Sequence, residues 1–196
     1  MKRLAFLVLA ALLLAASIAA ASAGATSTLA KRAIATPEPA LNLVLTGTPG
    51  EDRITVELSA DGRYYEVESA TPLEVGGTIC THPEKRAEAL LCEATAIAGF
   101  EINTGVGNDT VTLGHTVPVP ATIRGGEGDD VLTGGAGADK LIGGPGDDEL
   151  IGRGGDDLLI GGSGDDTLNG GSGDDVLHGG SGQNVLVGGS GKNLVE

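Results

Sequence analysis

The chain contains no tryptophan, one methionine and four other large rings, Phe6, Tyr64, Tyr65 and Phe100. So few rings cannot assemble a stacking platform for sugars or nucleobases. Histidine is equally sparse. His82, His115 and His178 fall in three separate contexts, none with a Ser or Cys nucleophile at an informative spacing, which leaves no constellation for nucleophilic or acid–base catalysis. No phosphate-binding glycine loop, dinucleotide fingerprint or zinc motif is present. Basic residues number 12 against 27 acidic ones, and the net charge of −15 excludes nucleic acid as a partner. Cysteine is limited to Cys80 and Cys92.

The one long apolar run, Leu4 to about Ile18, follows Lys2 and Arg3 and precedes Ala21-Ser22-Ala23. That pattern is a bacterial-type secretory leader over residues 1–23, cleaved after Ala23, and it is too short and wrongly flanked for a membrane span. No lipobox cysteine accompanies it, which argues against a lipid anchor. Export to an extracellular, oxidising compartment makes Cys80 and Cys92 a disulfide pair, worth about 3 kcal/mol for a loop of this size. A metal pair there finds no third ligand except His82. Residues 24–41, rich in Ala, Thr and Pro and including Thr36-Pro37-Glu38-Pro39, read as a disordered spacer.

What the chain has in abundance is glycine, and most of it is in phase. Residues 125–196 are eight consecutive nine-residue units: GGEGDDVLT, GGAGADKLI, GGPGDDELI, GRGGDDLLI, GGSGDDTLN, GGSGDDVLH, GGSGQNVLV and GGSGKNLVE. Such a short fixed period describes one structural unit stacked on itself. Position two is Gly in every unit except the fourth, where Arg153 stands. Position six is Asp130, Asp139, Asp148, Asp157, Asp166 and Asp175, then Asn184 and Asn193. Position eight is Leu132, Leu141, Leu150, Leu159, Leu168, Leu177 and Leu186, then Val195. Dense Gly marks backbone that turns through positive φ, and one apolar residue between variable ones is a three-residue strand with its middle side chain inward. The extra acids at position five, Asp129, Asp147, Asp156, Asp165 and Asp174, read as a solvated acidic edge, with an outer-shell role second.

Two units close one flattened coil, and coils pair as parallel strands about 4.8 Å apart. Asp130, Asp148 and Asp166 then form one column, and Asp139, Asp157 and Asp175 the other. Carboxylates at that spacing repel unless cations lie between them, and carboxylate with glycine carbonyl oxygens is the hard donor set that calcium selects. Eight inward aliphatic side chains are too few to offset the entropy of ordering 72 residues, 24 of them Gly. The array is therefore expected to be disordered without metal and to fold on binding it.

These units resemble the RTX family of haemolysin-type calcium-binding repeats, with consensus GGxGxDxUx. The resemblance covers 72 of the 196 residues and implies a parallel β-roll in which each calcium ion is shared by two stacked turns. One turn lends the carbonyls of positions two and four, the other those of positions one and three, and both lend the position-six carboxylate. Carried over, this pairs Gly126, Gly128 and Asp130 with Gly143, Pro145 and Asp148, and it pairs Asp139 with Asp157, Asp148 with Asp166, and Asp157 with Asp175. Asn184 and Asn193 keep an oxygen but lose the charge, so their sites are expected to be weaker or empty. Arg153 serves through its carbonyl if the turn tolerates it. Relatives of the repeat often follow a lipase, protease or toxin domain, for which this chain has no room. Members exported by a one-step channel end in a non-repeat secretion segment; here the repeats run to the last residue and the leader takes that role.

Residues 42–124 read as a degenerate, β-rich entrance to the same superhelix, with two independent domains as the alternative. Gly47 to Thr55 matches the unit at positions one, four, six and eight, with Asp52 a turn or cap residue before an ion ligand, and Asp61-Gly62 marks a hairpin. Pro83 to Leu91 has helix composition and predicts a short helix pinned by the disulfide. Thr104 to Thr112 is another unit with its first Gly replaced, which stacks Asp109 over Asp130 at an offset of 21 residues and suggests a further, weaker ion site. On the outer face of the even-numbered units Ile142, Leu158, Ile160 and Val176 should cluster into an apolar patch suited to self-association or to a cell-surface component, although aliphatic residues also simply suit strands. The leading reading is a secreted, non-catalytic, calcium-binding β-roll with a structural or adhesive role. The competing one is an enzyme or accessory module acting on acidic polysaccharide, for which Arg53, Arg63, Lys85 and Arg86 are the available cations.

Overall fold

The computed structural model describes residues 31–34, 41–70, 73–76, 80–83 and 89–196. The expected leader, residues 1–23, lies outside these, as does the expected spacer, residues 24–41, except for Lys31–Ile34 and Leu41. Lys31–Ile34 forms a strand, and Leu41 begins the next one.

The chain is an all-β parallel roll of two nine-stranded sheets, with only a short 3-10 turn at Ala94–Ala96 among the described residues. The first sheet runs Leu73–Gly76, Lys31–Ile34, Leu41–Thr46, Ile97–Val106, Ala121–Glu127, Lys140–Pro145, Leu158–Ser163, Val176–Ser181 and Leu194–Val195. The second runs Cys80–Thr81, Ala89–Glu93, Tyr64–Ser69, Arg53–Leu58, Thr110–Leu113, Val131–Thr133, Glu149–Gly154, Thr167–Ser172 and Val185–Ser190. Both sheets continue without interruption from the repeats into the N-terminal region.

Register follows the nine-residue period. Ile123, Leu141, Leu159 and Leu177 are stacked neighbours in the first sheet, as are Leu132, Leu150 and Leu168 in the second. All seven have no exposed surface. The ladders extend upstream through Ile102 and Leu45 on one side and Val111 and Ile54 on the other, so the degenerate coils share the same core. The final coil departs from the expected pattern: Leu186 is only half-buried and Val195 is 45% exposed, because no further coil covers them in the described structure. Strands are also longer than expected, six residues from position seven through position three of the next unit. The pairing skips position one, the glycine beside which the aspartate folds in.

At the N-terminal end the sheets are closed by antiparallel strands. Arg53–Leu58 turns at Gly62, φ 69°, into Tyr64–Ser69, which pairs with Ala89–Glu93. The predicted helix over Pro83 to Leu91 is not formed where it is described: residues 84–88 lie outside the described set, and Ala89–Glu93 is a strand. Packing overrides composition here. Leu90 and Cys92 alternate inward with no exposure, and Cys92 lies directly opposite Cys80, so the Cys80–Cys92 disulfide forms as a cross-strand bridge. Tyr65 and Phe100, one from each sheet, meet edge-on at 5.0 Å and fill the core at this end.

Candidate metal centre: two columns of buried aspartates

In each of the third to sixth units, residues 143–178, three positions are buried: the glycine at one, the aspartate at six and the leucine at eight. The leucine is held by hydrophobic burial. The aspartate needs another explanation, because a buried carboxylate is costly unless it is paired or hydrogen-bonded. Asp130, Asp139, Asp148, Asp157, Asp166 and Asp175 are each no more than 3% exposed.

One oxygen of each is accounted for. Asp148 Oδ1 accepts the Asp130 amide at 2.9 Å, Asp166 Oδ1 the Asp148 amide at 3.0 Å, Asp157 Oδ1 the Asp139 amide at 2.7 Å and Asp175 Oδ1 the Asp157 amide at 2.9 Å. Each spans 18 residues, so the columns expected from the sequence are present. The 21-residue step is present too: Asp130 Oδ1 accepts the Asp109 amide at 2.8 Å. Above it, Asp109 Oδ1 accepts the amide of Asp52, itself 3% exposed, across 57 residues. The first column thus runs Asp52, Asp109, Asp130, Asp148, Asp166, Asn184. The second runs Asp139, Asp157, Asp175, Asn193.

The second oxygen is the informative one. Oδ2 of Asp130, Asp148, Asp157, Asp166 and Asp175 is buried and accepts no hydrogen bond. Backbone carbonyls crowd the same space. A Cβ on Gly143 would lie 2.1 Å from Asp148 Oδ2 and 2.8 Å from the Gly161 carbonyl, and one on Gly161 would lie 2.4 Å from Asp166 Oδ2 and 2.6 Å from the Gly179 carbonyl. At positions two and four, where φ is 132° for Gly144 and 140° for Gly146, a Cβ would strike the Gly126 and Gly128 carbonyls at 2.0 and 2.1 Å. Glycine is therefore required at these places for stacked oxygens to approach. Arg153, at position two of its unit, is the one non-glycine residue with positive φ, 76°, among those described. The turn tolerates it: its carbonyl stays in the stack, 2.2 Å from where a Cβ on Gly171 would be. Its guanidinium donates to the carbonyls of Leu113 and Gly134.

The donor set is thus carboxylate and carbonyl oxygen alone; among the described residues no three His, Cys, Asp or Glu side chains converge. A hard, multivalent cation with flexible coordination fits such a set, and calcium is the usual one. A sequence profile of the RTX calcium-binding nonapeptide repeat matches residues 124–159 and 160–195. Residues 124–195 are an RTX calcium-binding repeat array. RTX repeats bind calcium, and the roll, the Asp columns and the oxygen cradles are what that requires of the fold. Compared with curated proteins and with solved structures, the chain has no significant match in either.

Outside the RTX match the same construction persists at Asp109 and Asp52, where the sequence signal is weak because Thr104 replaces the first Gly and Thr48 the second. The exposed position-five acids turn out to be cross-links between coils. Asp129 Oδ1 accepts the Asp147 amide, Asp147 Oδ1 the Asp165 amide and Asp156 Oδ1 the Asp174 amide, at 2.9, 2.7 and 2.9 Å. Of the cations considered for an acidic polysaccharide, the two described ones line separate hollows. Arg63 lines a hollow with Glu93 and Arg53 lines another with Glu51 and Asp52, while Lys85 and Arg86 lie outside the described residues.

Burial pushes the column carboxylates upward, Asp130 and Asp157 to about 7, Asp139 and Asp148 to about 6, and Asp166 in the same direction. An acid whose pKa is higher folded than unfolded stabilises the fold below its unfolded value, near 4, and loses that contribution as pH rises through the folded value. Without metal, the roll is therefore expected to be more stable at pH 5 than at pH 8. With metal the sign reverses, because protons compete for the same oxygens. Calcium titrations at pH 5.5 and pH 7.5 should show the higher half-saturating concentration at pH 5.5; equal midpoints would show that these carboxylates do not bind the ion.

Proposed function

We propose that the protein is a secreted calcium-dependent structural or adhesive module that acts without catalysis and whose repeat array folds as the ions bind. The row of buried Oδ2 atoms without a donor carries this reading. In the regular turns, Gly126, Gly128 and Asp130 with Gly143, Pro145 and Asp148 are the ligands of one ion, and the pattern repeats down the columns. Calcium supplies charge neutralisation and cross-linking between coils. Pro145 keeps one carbonyl lone pair for it, having used the other on the Gly128 amide at 2.9 Å. The leader pattern of residues 1–23 and the Cys80–Cys92 disulfide support export.

Support for an adhesive role comes from the outer face of the first sheet. There Ile142 lies beside Ile160, and Leu158 beside Val176, which is followed by Leu194. Val176 and Leu194 are 37% and 52% exposed. An aliphatic strip of this kind, bordered by Lys140, Arg124 and His178, suits a second copy or a wall component. In sedimentation velocity with calcium the wild-type chain should form larger species than Leu158→Lys/Ile160→Lys, and the two should coincide in chelator. Identical sizes in calcium would exclude self-association through this face.

A further inference from the structure

The turns are not all built alike. In those that end on Asp130, Asp148, Asp157, Asp166 and Asp175 the residue at position two has positive φ and the carboxylate Oδ2 has no donor. The turn ending on Asp109 shares that backbone, with φ 109° at Gly105. Two turns differ. Thr48 and Gly135 lie outside the positive-φ region, and their amides turn inward to donate to Oδ2 of Asp52 at 2.6 Å and of Asp139 at 2.7 Å. For Thr48 the branched side chain disfavours positive φ. For Gly135 the cause is the irregular segment stacked above it: the Val117 carbonyl accepts the Ala136 amide at 2.8 Å, and a Cβ on Gly135 would lie 2.6 Å from that carbonyl.

The opposite ends of the columns are also distinct. Asn184 Oδ1 and Asn193 Oδ1 accept the amides of Asp166 and Asp175, both at 2.8 Å. That fixes the side-chain amide orientation, so Nδ2 occupies the place where an aspartate presents Oδ2. Asn184 Nδ2 lies 2.8 Å from a Cβ built on Gly179, and Asn193 Nδ2 donates to the Gly189 carbonyl at 3.3 Å. These asparagines therefore face the carbonyl cradle with a hydrogen-bond donor, which repels a cation.

We infer that each column is closed at both ends by hydrogen bonds that need no metal, by Asp52 and Asn184 in one and by Asp139 and Asn193 in the other. Ions then sit only between open turns, at Asp109–Asp130, Asp130–Asp148, Asp148–Asp166 and Asp157–Asp175. The physical need is plain: an ion row that simply stopped would leave its last buried carboxylate half-compensated, and a neutral donor ends the row without an unpaired charge. The inference rests on the calcium reading above and alters it in two places. Asp139, a position-six aspartate of the regular array, is a cap, and Asp109, upstream of residues 124–195 matched by the RTX profile, is a ligand.

Native mass spectrometry of the full chain, with calcium as the probe, tests this directly. The wild type should carry one ion for each of the four open pairs. Asp109→Asn and Asp157→Asn should each carry one fewer and Asp139→Asn the full number. Asn193→Asp, a change in the exposed last coil that does not threaten folding, should carry one more, held between Asp175 and the carboxylate introduced in that last coil. Loss of an ion in Asp139→Asn, full retention in Asp109→Asn, or no gain in Asn193→Asp would each overturn the caps while leaving calcium binding standing. A wild-type chain without bound calcium would overturn both.

Discussion

Adding calcium to the chelated chain is expected to raise its far-UV β signal cooperatively, and chelation to reverse the gain. The argument begins with five buried carboxylate oxygens that no protein group satisfies. Burial makes each of them costly. The aliphatic ladder, one residue per nine, is too thin to offset that cost together with the ordering of a chain so rich in glycine. A bound ion removes the repulsion and adds its binding free energy to the fold, about 2.7 kcal/mol per site at a hundredfold excess over Kd. Because Asp130 and Asp148 each belong to two ion positions, the three sites of that column fill together. Part of the signal should survive chelation, since Leu43, Leu45, Tyr65, Leu90 and Phe100 with the Cys80–Cys92 disulfide hold the N-terminal end of the shared core by apolar packing and a covalent bond that need no metal. Magnesium should not substitute, because it demands a tighter octahedral shell and dehydrates reluctantly. A spectrum already fully β and indifferent to calcium would remove the explanation for the columns.

Asp148→Asn should, with Asp130→Asn, give the largest effect of any position-six substitution in the array. Asp148 lies between Asp130 and Asp166 in the column with three open pairs. Asn keeps Oδ1 for the Asp130 amide and puts Nδ2 where Oδ2 was, so two adjacent ion positions lose a charged ligand and face a donor. At about 1.5–3 kcal/mol for a charge-assisted contact, the half-saturating calcium concentration should rise tenfold or more. The direction in chelator is the stronger test. Burial holds the Asp148 carboxyl up to about 6, so a neutral side chain there should leave the metal-free roll no less stable at pH 8, and thermal melts should show the variant below wild type only in calcium. Asp147→Asn, one residue away and exposed, keeps the oxygen that accepts the Asp165 amide and should change neither melt appreciably. A variant of Asp148 that melts lower in chelator as well would mark the residue as structural only.

The sequence by itself determined the array: a nine-residue period with Leu at eight and Asp at six leaves one way to bury the apolar residue, and the register that does so stacks the carboxylates. It also carried the hairpin at Asp61-Gly62, the cysteine pairing and the stacking of Asp109 over Asp130, because turn chemistry and spacing are local. Tertiary structure decided what local pattern could not. Ala89–Glu93 is a strand and not a helix because its inward residues meet Tyr65 and Val67 across the sheet. Asp139 reads like every other position-six residue, and only the segment stacked above Gly135 turns that amide onto its carboxylate. Asn184 and Asn193 differ from Asp by one atom in the sequence, yet it is the amide of the preceding coil that fixes which way that atom points. In a solenoid each coil is specified by its own residues, but the state of each turn is set by the coils on either side.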